Sequence, residues 1–462
     1  MAKRCGRLDG TARRLRRAAW EEMGAAFAPW LDGAVEIGPP ARERLFYPAR
    51  VFMLFLSQVL SADGSCRQTL HKFLAWLALT EGRQASPNTA AYCKARARLP
   101  LAEIERARDD VARKIQQSPQ AQGRWRGRCV TVVDGSSVSM PDTSENQGKY
   151  PQSRKRTPGC GFPELRLTAL FSLATGVLLR YACGSRYRSE RALFRRLWDY
   201  LERGDVVLAD RGFCGFAEFC LLRQRGVDSV MRLHQRRSVG VHLVKRLGPG
   251  DTLVHWIKTK KRPAWLTKPQ WDALPLTLDV RHIAFPVAIP GFRSQRITVA
   301  TTLTDPRQYP ACAFAELYRR RWRVELYFRD IKISLGMDVL RCLTPEMVEK
   351  ELAMHVIAYN LIRALMLQAA HAANQDIERI SFKGTCQALR TWATLLAFAP
   401  RRRLPGLRHT LLLAIARAPV PNRPNRTEPR ARKRRPKNYQ LLNKPRHQFR
   451  EIPHRNNYIK TP

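Results

Sequence analysis

The sequence predicts an α/β chain, in which a strand-and-helix core is interrupted by a β-rich insertion and set between a helical N-terminal domain and a helical, basic C-terminal region. Three observations carry this. Apolar residues recur at helical spacing from Ala18 to about Gln120, give way to short β-branched runs ended by glycine after Arg128, and return to helical spacing from Ala311 to about Ala373. Lys and Arg number 82 against 38 Asp and Glu, a formal net charge of +44. That excess is self-repelling unless a polyanion is the normal partner. With 44% hydrophobic residues over 462 positions, the chain can build two or three packed domains rather than a disordered polymer.

In the N-terminal region "RQTLHKFLAWLAL" (Arg67 to Leu79) has the three-four apolar spacing of an amphipathic helix. "SPNTAAYCKARARLP" places Ser86 as an N-cap and Pro87 at the first helical position. Lys94, Arg96 and Arg98 then fall near that helix's C-terminal end, where either the helix dipole or a DNA contact accounts for them. After Arg128 the period changes to two. "RCVTVVDG" is a strand stopped by glycine, and "LRLTALFSLATGVLLRYACG" is two strands joined at Ala174-Thr175-Gly176. "SERALFRRLWDYL" follows as a helix capped by Ser189, "VVLADRGF" as a buried strand ending in Asp and Gly, "FAEFCLLRQRG" as a helix and "VDSVMRLH" as an apolar strand. Strand, strand, strand, helix, strand, helix, strand is the element order of the RNase H-like fold.

From Gln235 to about Tyr309 the pattern is strand-rich with an evident "GPG" turn, and reads as an inserted β-domain. The expected division is therefore 1–125 for the helical N-terminal domain, 126–234 for the first part of the core, 235–310 for the insertion and 311–375 for the helical second part of the core. C-terminal helices at 376–418 and a basic tail at 419–462 complete it. The tail, proline-broken and cationic, cannot bury enough apolar surface to fold alone and reads as an arm for phosphate backbones.

No membrane span is predicted. "VFMLFLSQVL" is too short, and the apolar segment from Glu351 is interrupted by His355, Asn360 and Arg363. The basic N-terminus lacks the apolar core of an export signal, so the expected location is cytoplasmic, with the nucleoid. Eleven cysteines without a Cys-x-x-Cys pair read as reduced thiols, which sets zinc aside.

Two aspartates stand at the glycine-marked ends of apolar strands, Asp134 in "VVDGSS" and Asp210 in "LADRGF". A carboxylate at the rim of a buried strand is costly unless paired or bound to a cation, and such rims are where ligands collect in α/β sheets. Singly each is better explained as a turn residue. Together they point to a shared site. In "YRRRWRVELYFRDIK" a single glutamate, Glu325, sits among cations, and helical spacing puts Tyr318, Arg321, Glu325 and Lys332 on one face. A salt bridge from Glu325 to Arg329 is worth only about 0.3 to 0.5 kcal/mol. Phosphodiester chemistry explains more, because carboxylates hold Mg²⁺ through hard oxygens while neighbouring cations hold the phosphate. Asp142 and Glu190 have ordinary turn and helix-start explanations, and Asp330 is expected to point off the stripe.

The spacing Tyr-x2-Arg-x3-Glu-x6-Lys at Tyr318, Arg321, Glu325 and Lys332, with "DGSS" and "DRGF" upstream, resembles the insertion-sequence-4 family of bacterial DDE transposases. The resemblance covers roughly Arg128 to Asp338. It implies that Asp134, Asp210 and Glu325 bind two Mg²⁺ ions, with Mn²⁺ as a substitute, and that Tyr318, Arg321 and Lys332 position phosphates. Arg211, Arg329, Lys94, Arg96 and Arg98 complete the expected DNA-contacting set. It further implies cleavage of double-stranded DNA at transposon ends, joining of the 3′ ends to target DNA, and a homodimer that pairs two ends. A tryptophan of the insertion stacks on a flipped base in relatives; Trp256, Trp265 and Trp271 are the candidates here. An RNase H-like nuclease or resolvase without strand transfer, and a non-catalytic nucleic-acid-binding protein, are the alternatives.

Overall fold

The computed structural model describes residues 24–31, 45–121, 123–234, 241–287, 296–421 and 441–449. The basic N-terminal segment and most of the tail expected to contact phosphates lie outside the described residues.

Helices α1 (Gly24–Leu31), α2 (Pro48–Leu60), α3 (Cys66–Glu81), α4 (Ala90–Arg98) and α5 (Leu101–Gln116) form the N-terminal region. Pro48 opens α2 where a missing N–H costs nothing, and Ser65 caps α3 by accepting from the Gln68 N–H. The cap expected at Ser86 is not used. Asn88 accepts from the Ala90 N–H at 2.8 Å, so α4 starts three residues after Pro87.

Strands β1 (Val130–Ser139), β2 (Glu164–Ser172), β3 (Leu178–Ser185), β4 (Val206–Ala209) and β5 (Asp228–Arg232) form half of a nine-stranded sheet. The helices α6 (Ser144–Lys149), α7 (Glu190–Arg195) and α8 (Phe216–Gln224) connect them. The other half is β6 (Val241–Gly248), β7 (Asp251–Ile257), β8 (Thr277–Pro286) and β9 (Arg296–Thr301), with α9 (Lys268–Asp272) between β7 and β8. The sheet order is β3-β2-β1-β4-β5-β9-β8-β7-β6. The strand-rich segment therefore extends the core sheet instead of standing beside it, because β9 pairs antiparallel with β5. An apolar β5 would otherwise leave an open edge.

Alternate residues of the central strands face two cores. Val132, Leu208 and Val230 pack toward the helices of one face; Val133, Val207 and Met231 pack toward α7, α8 and Trp256 on the other. The first core is dominated by α12 (Pro345–Ala372), a 28-residue helix that contacts α2, α5 and the C-terminal helices α13 (Phe382–Phe398) and α14 (Leu404–Ala416). By length and apolarity α12 could cross a membrane, but 94% of its apolar window is buried inside this fold.

The segment before α12 departs from the expected single stripe. Helix α10 (Ala311–Arg320) ends at Arg321, α11 (Arg323–Arg329) restarts, and Asp330–Ser334 winds as a π-helical turn. Tyr318 and Arg321 are consequently buried, whereas Glu325 is exposed.

Candidate active site

Strands β1 and β4 run parallel with Val130 opposite Val206, Thr131 opposite Val207 and Val132 opposite Leu208. Two residues further along each chain come Asp134 and Asp210. The same register carries both aspartates onto neighbouring tracks, which lie about 4.8 Å apart in a sheet. Asp134 is not at a strand end, as its glycine neighbour suggested. β2 keeps β1 extended to Ser139, and Asp134 stands where pairing to β4 has run out.

Each aspartate is oriented by local backbone. Asp134 Oδ1 accepts from the Gly135 N–H at 2.8 Å, and Asp210 Oδ1 accepts from the Gly212 N–H at 2.7 Å. The turn-forming role open to each is thus also filled. Asp134 Oδ2 receives Arg321 Nη1 at 3.3 Å, and Arg321 Nη2 reaches Glu325 Oε1 at 3.4 Å. One buried guanidinium therefore links the sheet carboxylate to the helix carboxylate. Burial pushes the Asp134 carboxyl up to about 6; the Gly135 N–H and Arg321 oppose this, while Asp210 and Glu190 reinforce it. Burial likewise raises the Tyr318 hydroxyl to about 12, with Arg321 opposing and the charge of Asp210 contributing.

Glu190 lies against Gly135, where a Cβ would sit 2.2 Å from the Glu190 Cδ. Its carboxyl is raised by burial, against Arg166 and with Asp210. Its helix-start position alone does not account for this, and the glycine directly after Asp134 is the sequence signal for its approach. Lys332 donates from Nζ to the Ser137 carbonyl at 2.8 Å and to Ser136 Oγ at 3.4 Å, tying the π turn to β1.

Other expected DNA contacts divide. Arg211 is exposed directly after Asp210, and Lys94 and Arg98 are exposed on α4. Arg329 is exposed and pairs with Asp330 at 3.6 Å, not with Glu325. Arg96 is a core residue: it donates to Gln58 Oε1 at 3.0 Å and lies over Phe55 and Tyr92, so it cannot face DNA. Among the tryptophans, Trp256 is buried, donates to His282 Nε2 at 2.8 Å and packs on Phe219, and Trp271 is buried as well. Trp265 is half-buried under Arg195 at 4.0 Å.

The donor set suits a divalent cation. It consists of carboxylate oxygens, one of them held protonated to about pH 6 chiefly by burial, and a guanidinium already draws two of them together. As placed, Asp134 and Glu325 meet at Arg321, Asp210 does not, and the three form no closed cage. Among the described residues no group of three or more His, Cys, Asp or Glu stands in metal-holding array. A cleft of about 390 Å³ lined by Trp30, Lys114 and Gln368 contains none of these carboxylates.

Carboxylates at Asp134 and Asp210, with a helix glutamate joined to Asp134 through Arg321, are the chemistry that work on a nucleic-acid backbone would need. The chain belongs to the transposase DDE-domain family, whose model matches residues 125–361, and it is a DDE transposase. It is 25% identical over 378 residues to the transposase InsG for insertion sequence element IS4 of Escherichia coli, covering 81% of this chain and 83% of that one. It is 26% identical over 167 residues to the putative transposase y4zB of Sinorhizobium fredii, covering 35% and 43%. It is similar in structure to the piggyBac transposase in a synaptic complex with hairpin DNA, with a TM-score of 0.41 and 9% identity, over 90% of this chain and 86% of that one.

Proposed function

We propose that this transposase cuts DNA at the terminal inverted repeats of its element and joins the 3′ ends to target DNA, with Asp134, Asp210 and Glu325 as the catalytic carboxylates on an RNase H-like core. The observation that carries the reading is the β1–β4 register, which aligns Asp134 with Asp210, together with the Arg321 bridge from Asp134 to Glu325. The three carboxylates would hold two Mg²⁺ ions, or Mn²⁺ in their place, which when bound activate the attacking oxygen and stabilise the leaving one in an in-line displacement.

The chain's own residues prepare that chemistry. Arg321, buried and fixed between two carboxylates, presents positive charge where a phosphate must enter. Tyr318 packs beside it and keeps a neutral hydroxyl far into the alkaline range. Lys332 locks the glutamate-bearing segment to β1, and Arg211 faces solvent next to Asp210. Lys94, Arg98 and Arg329 are exposed cations for the flanking duplex. Trp265, the least buried of the three insertion tryptophans, is our candidate for base stacking, with Arg195 over its ring. We further assign residues 1–125 to end binding, 126–234 and 311–375 to the core, 235–310 to the insertion, and 376–418 and 419–462 to the C-terminal helices and arm. The active species is a homodimer acting in the cytoplasm.

The test is cleavage and joining on DNA carrying the element's own ends, with Mg²⁺. Asp134→Asn, Asp210→Asn and Glu325→Gln should each lower cleavage about 10³-fold or more, equivalent to about 4 kcal/mol of transition-state stabilisation. Cleavage without joined product indicates a nuclease. Full activity in any of the three variants removes that residue from the site.

A further inference from the structure

We propose that the β1–β2 loop and the tail segment 441–449 form one preorganised platform for duplex phosphates, beside the active site. Its placement relative to the cut rests on the function proposed above. Arg154, Lys155 and Arg156 are exposed at the tip of this loop, and among the described residues none of them pairs with an acid. The loop is nevertheless rigidly built. The Gln152 side chain donates to the Thr157 carbonyl at 2.9 Å and accepts from the Gly161 N–H at 3.0 Å. The Tyr187 hydroxyl donates to the Gln152 carbonyl and accepts from the Arg154 N–H, both at 2.9 Å, and the Arg154 guanidinium lies over the Tyr187 ring at 4.6 Å.

A second cationic segment comes to the same place. Gly159, at φ +75°, lies so close to Pro445 that an added Cβ would be 3.5 Å from its ring. Lys444 and Arg446, exposed on either side of Pro445, are thereby brought to a loop nearly 300 positions away in sequence. Among the described residues none of these five cations pairs with an acid, and grouping them opposes folding unless a polyanion is the usual occupant. A solvated charged face would not require the hydrogen bonds that hold this one in shape.

Distance defines what the platform reads. Ser139, opposite Glu164 at the loop's base, is five residues along β1 from Asp134, or about 17 Å. That length reaches only the base of the loop; the tip cations lie 15 or more residues further along the chain, so the platform falls on duplex flanking the cut and not on the scissile phosphate. It carries no base-reading geometry, so it contributes position and affinity rather than sequence choice.

The experiment uses the full chain and a random-sequence 30-base-pair duplex, with binding measured against NaCl concentration. Arg154→Gln/Lys155→Gln/Arg156→Gln is compared with Lys245→Gln/Arg246→Gln/Lys260→Gln, which removes equal charge from the edge strand β6 and the connection after β7. The loop variant should lower the slope of log K against log salt by about 2 to 3, since each phosphate neutralised by a cation contributes roughly 0.9, and the control by less than half of that. Equal slopes for the two variants, or an unchanged slope in the loop variant, overturn the proposal. On element-end DNA, hydroxyl-radical protection of the duplex flanking the cut should be lost over one patch in the loop variant alone; a footprint identical to that of the wild type also overturns it. If the loop variant shows the lowered slope but the wild-type chain cuts no end DNA, the transposition reading fails and the platform stands.

Discussion

At the residue scale the site is organised by close approaches that depend on one missing atom or one buried charge. Gly135→Ala would drive a methyl into the Glu190 carboxyl, which must shift from its place beside Asp134. The expected result is a small loss of stability, below about 1 kcal/mol because a flexible side chain yields, with a much larger fall in cleavage; denaturation and end-cleavage assays on one preparation check both. His355 makes a separate prediction. It is buried in α12 with an unpartnered Nδ1, and burial, aided by Arg341, lowers it to about 3. The unfolded chain takes up a proton below about pH 6.5 that the folded chain refuses. Its contribution to stability is therefore complete above pH 6.5 and lost as pH falls toward 3. Asp134 and Asp330, both raised to about 6, act in the opposite sense between about pH 4 and 6, but equally in wild type and variant. The stability gap between wild type and His355→Leu, followed by chemical denaturation, should therefore shift in the variant's favour by about 2 kcal/mol between pH 6.5 and 5.

At the element scale the decisive feature is pairing, and pairing is what sequence pattern conveys least. The short strands, the hairpin at Ala174–Gly176 and the Ser189 cap are legible, because period, glycine and capping chemistry are local signals. That Asp134 lies mid-strand is not, since β1 continues only because β2 lies along its other side. The inserted β-domain is legible as strands, but no local signal marks that β9 joins β5. Helical spacing correctly groups Tyr318, Arg321 and Glu325 near one another. It cannot show the break at Arg321 and the π turn, which bury the first two, expose the third and swing Lys332 onto β1. Arg96 reads as a surface cation because its cation–aromatic stacking and its bond to Gln58 are long-range and leave no local trace. The joined sheet carries its own prediction. Gly250, at φ +71° in the β6–β7 turn, sits where a Cβ would be 2.8 Å from the Ala284 carbonyl oxygen, which is backbone and cannot retreat. Gly250→Ala should cost about 1 to 3 kcal/mol in denaturant unfolding. If the outer strands were independent of the core, that loss would appear as a separate early transition; a single shifted transition is expected.

At the scale of the whole molecule, a net charge of +44 makes the free chain and its DNA complex respond oppositely to salt. In the free chain two electrostatic effects compete. Ion pairs such as Arg281–Asp251 and Arg195–Glu218 favour the fold, but they are largely buried and salt screens them little. Exposed pairs such as Lys268–Asp272 contribute little, because water screens them and the long side chains lose freedom in pairing. General repulsion among 82 cations facing 38 anions acts over the surface and is screened strongly once the Debye length falls from about 30 Å at 0.01 M to about 3 Å at 1 M. Repulsion therefore dominates the salt response, and the melting temperature of the free chain should rise with NaCl. In the complex, phosphates already neutralise those cations, and added salt dissociates the duplex by mass action on released counterions. The DNA-induced rise in melting temperature should shrink over the same range until the two curves meet. A free-chain melting temperature that fell with salt would place the stabilising weight on surface ion pairs and remove the need for a polyanion that the composition implies.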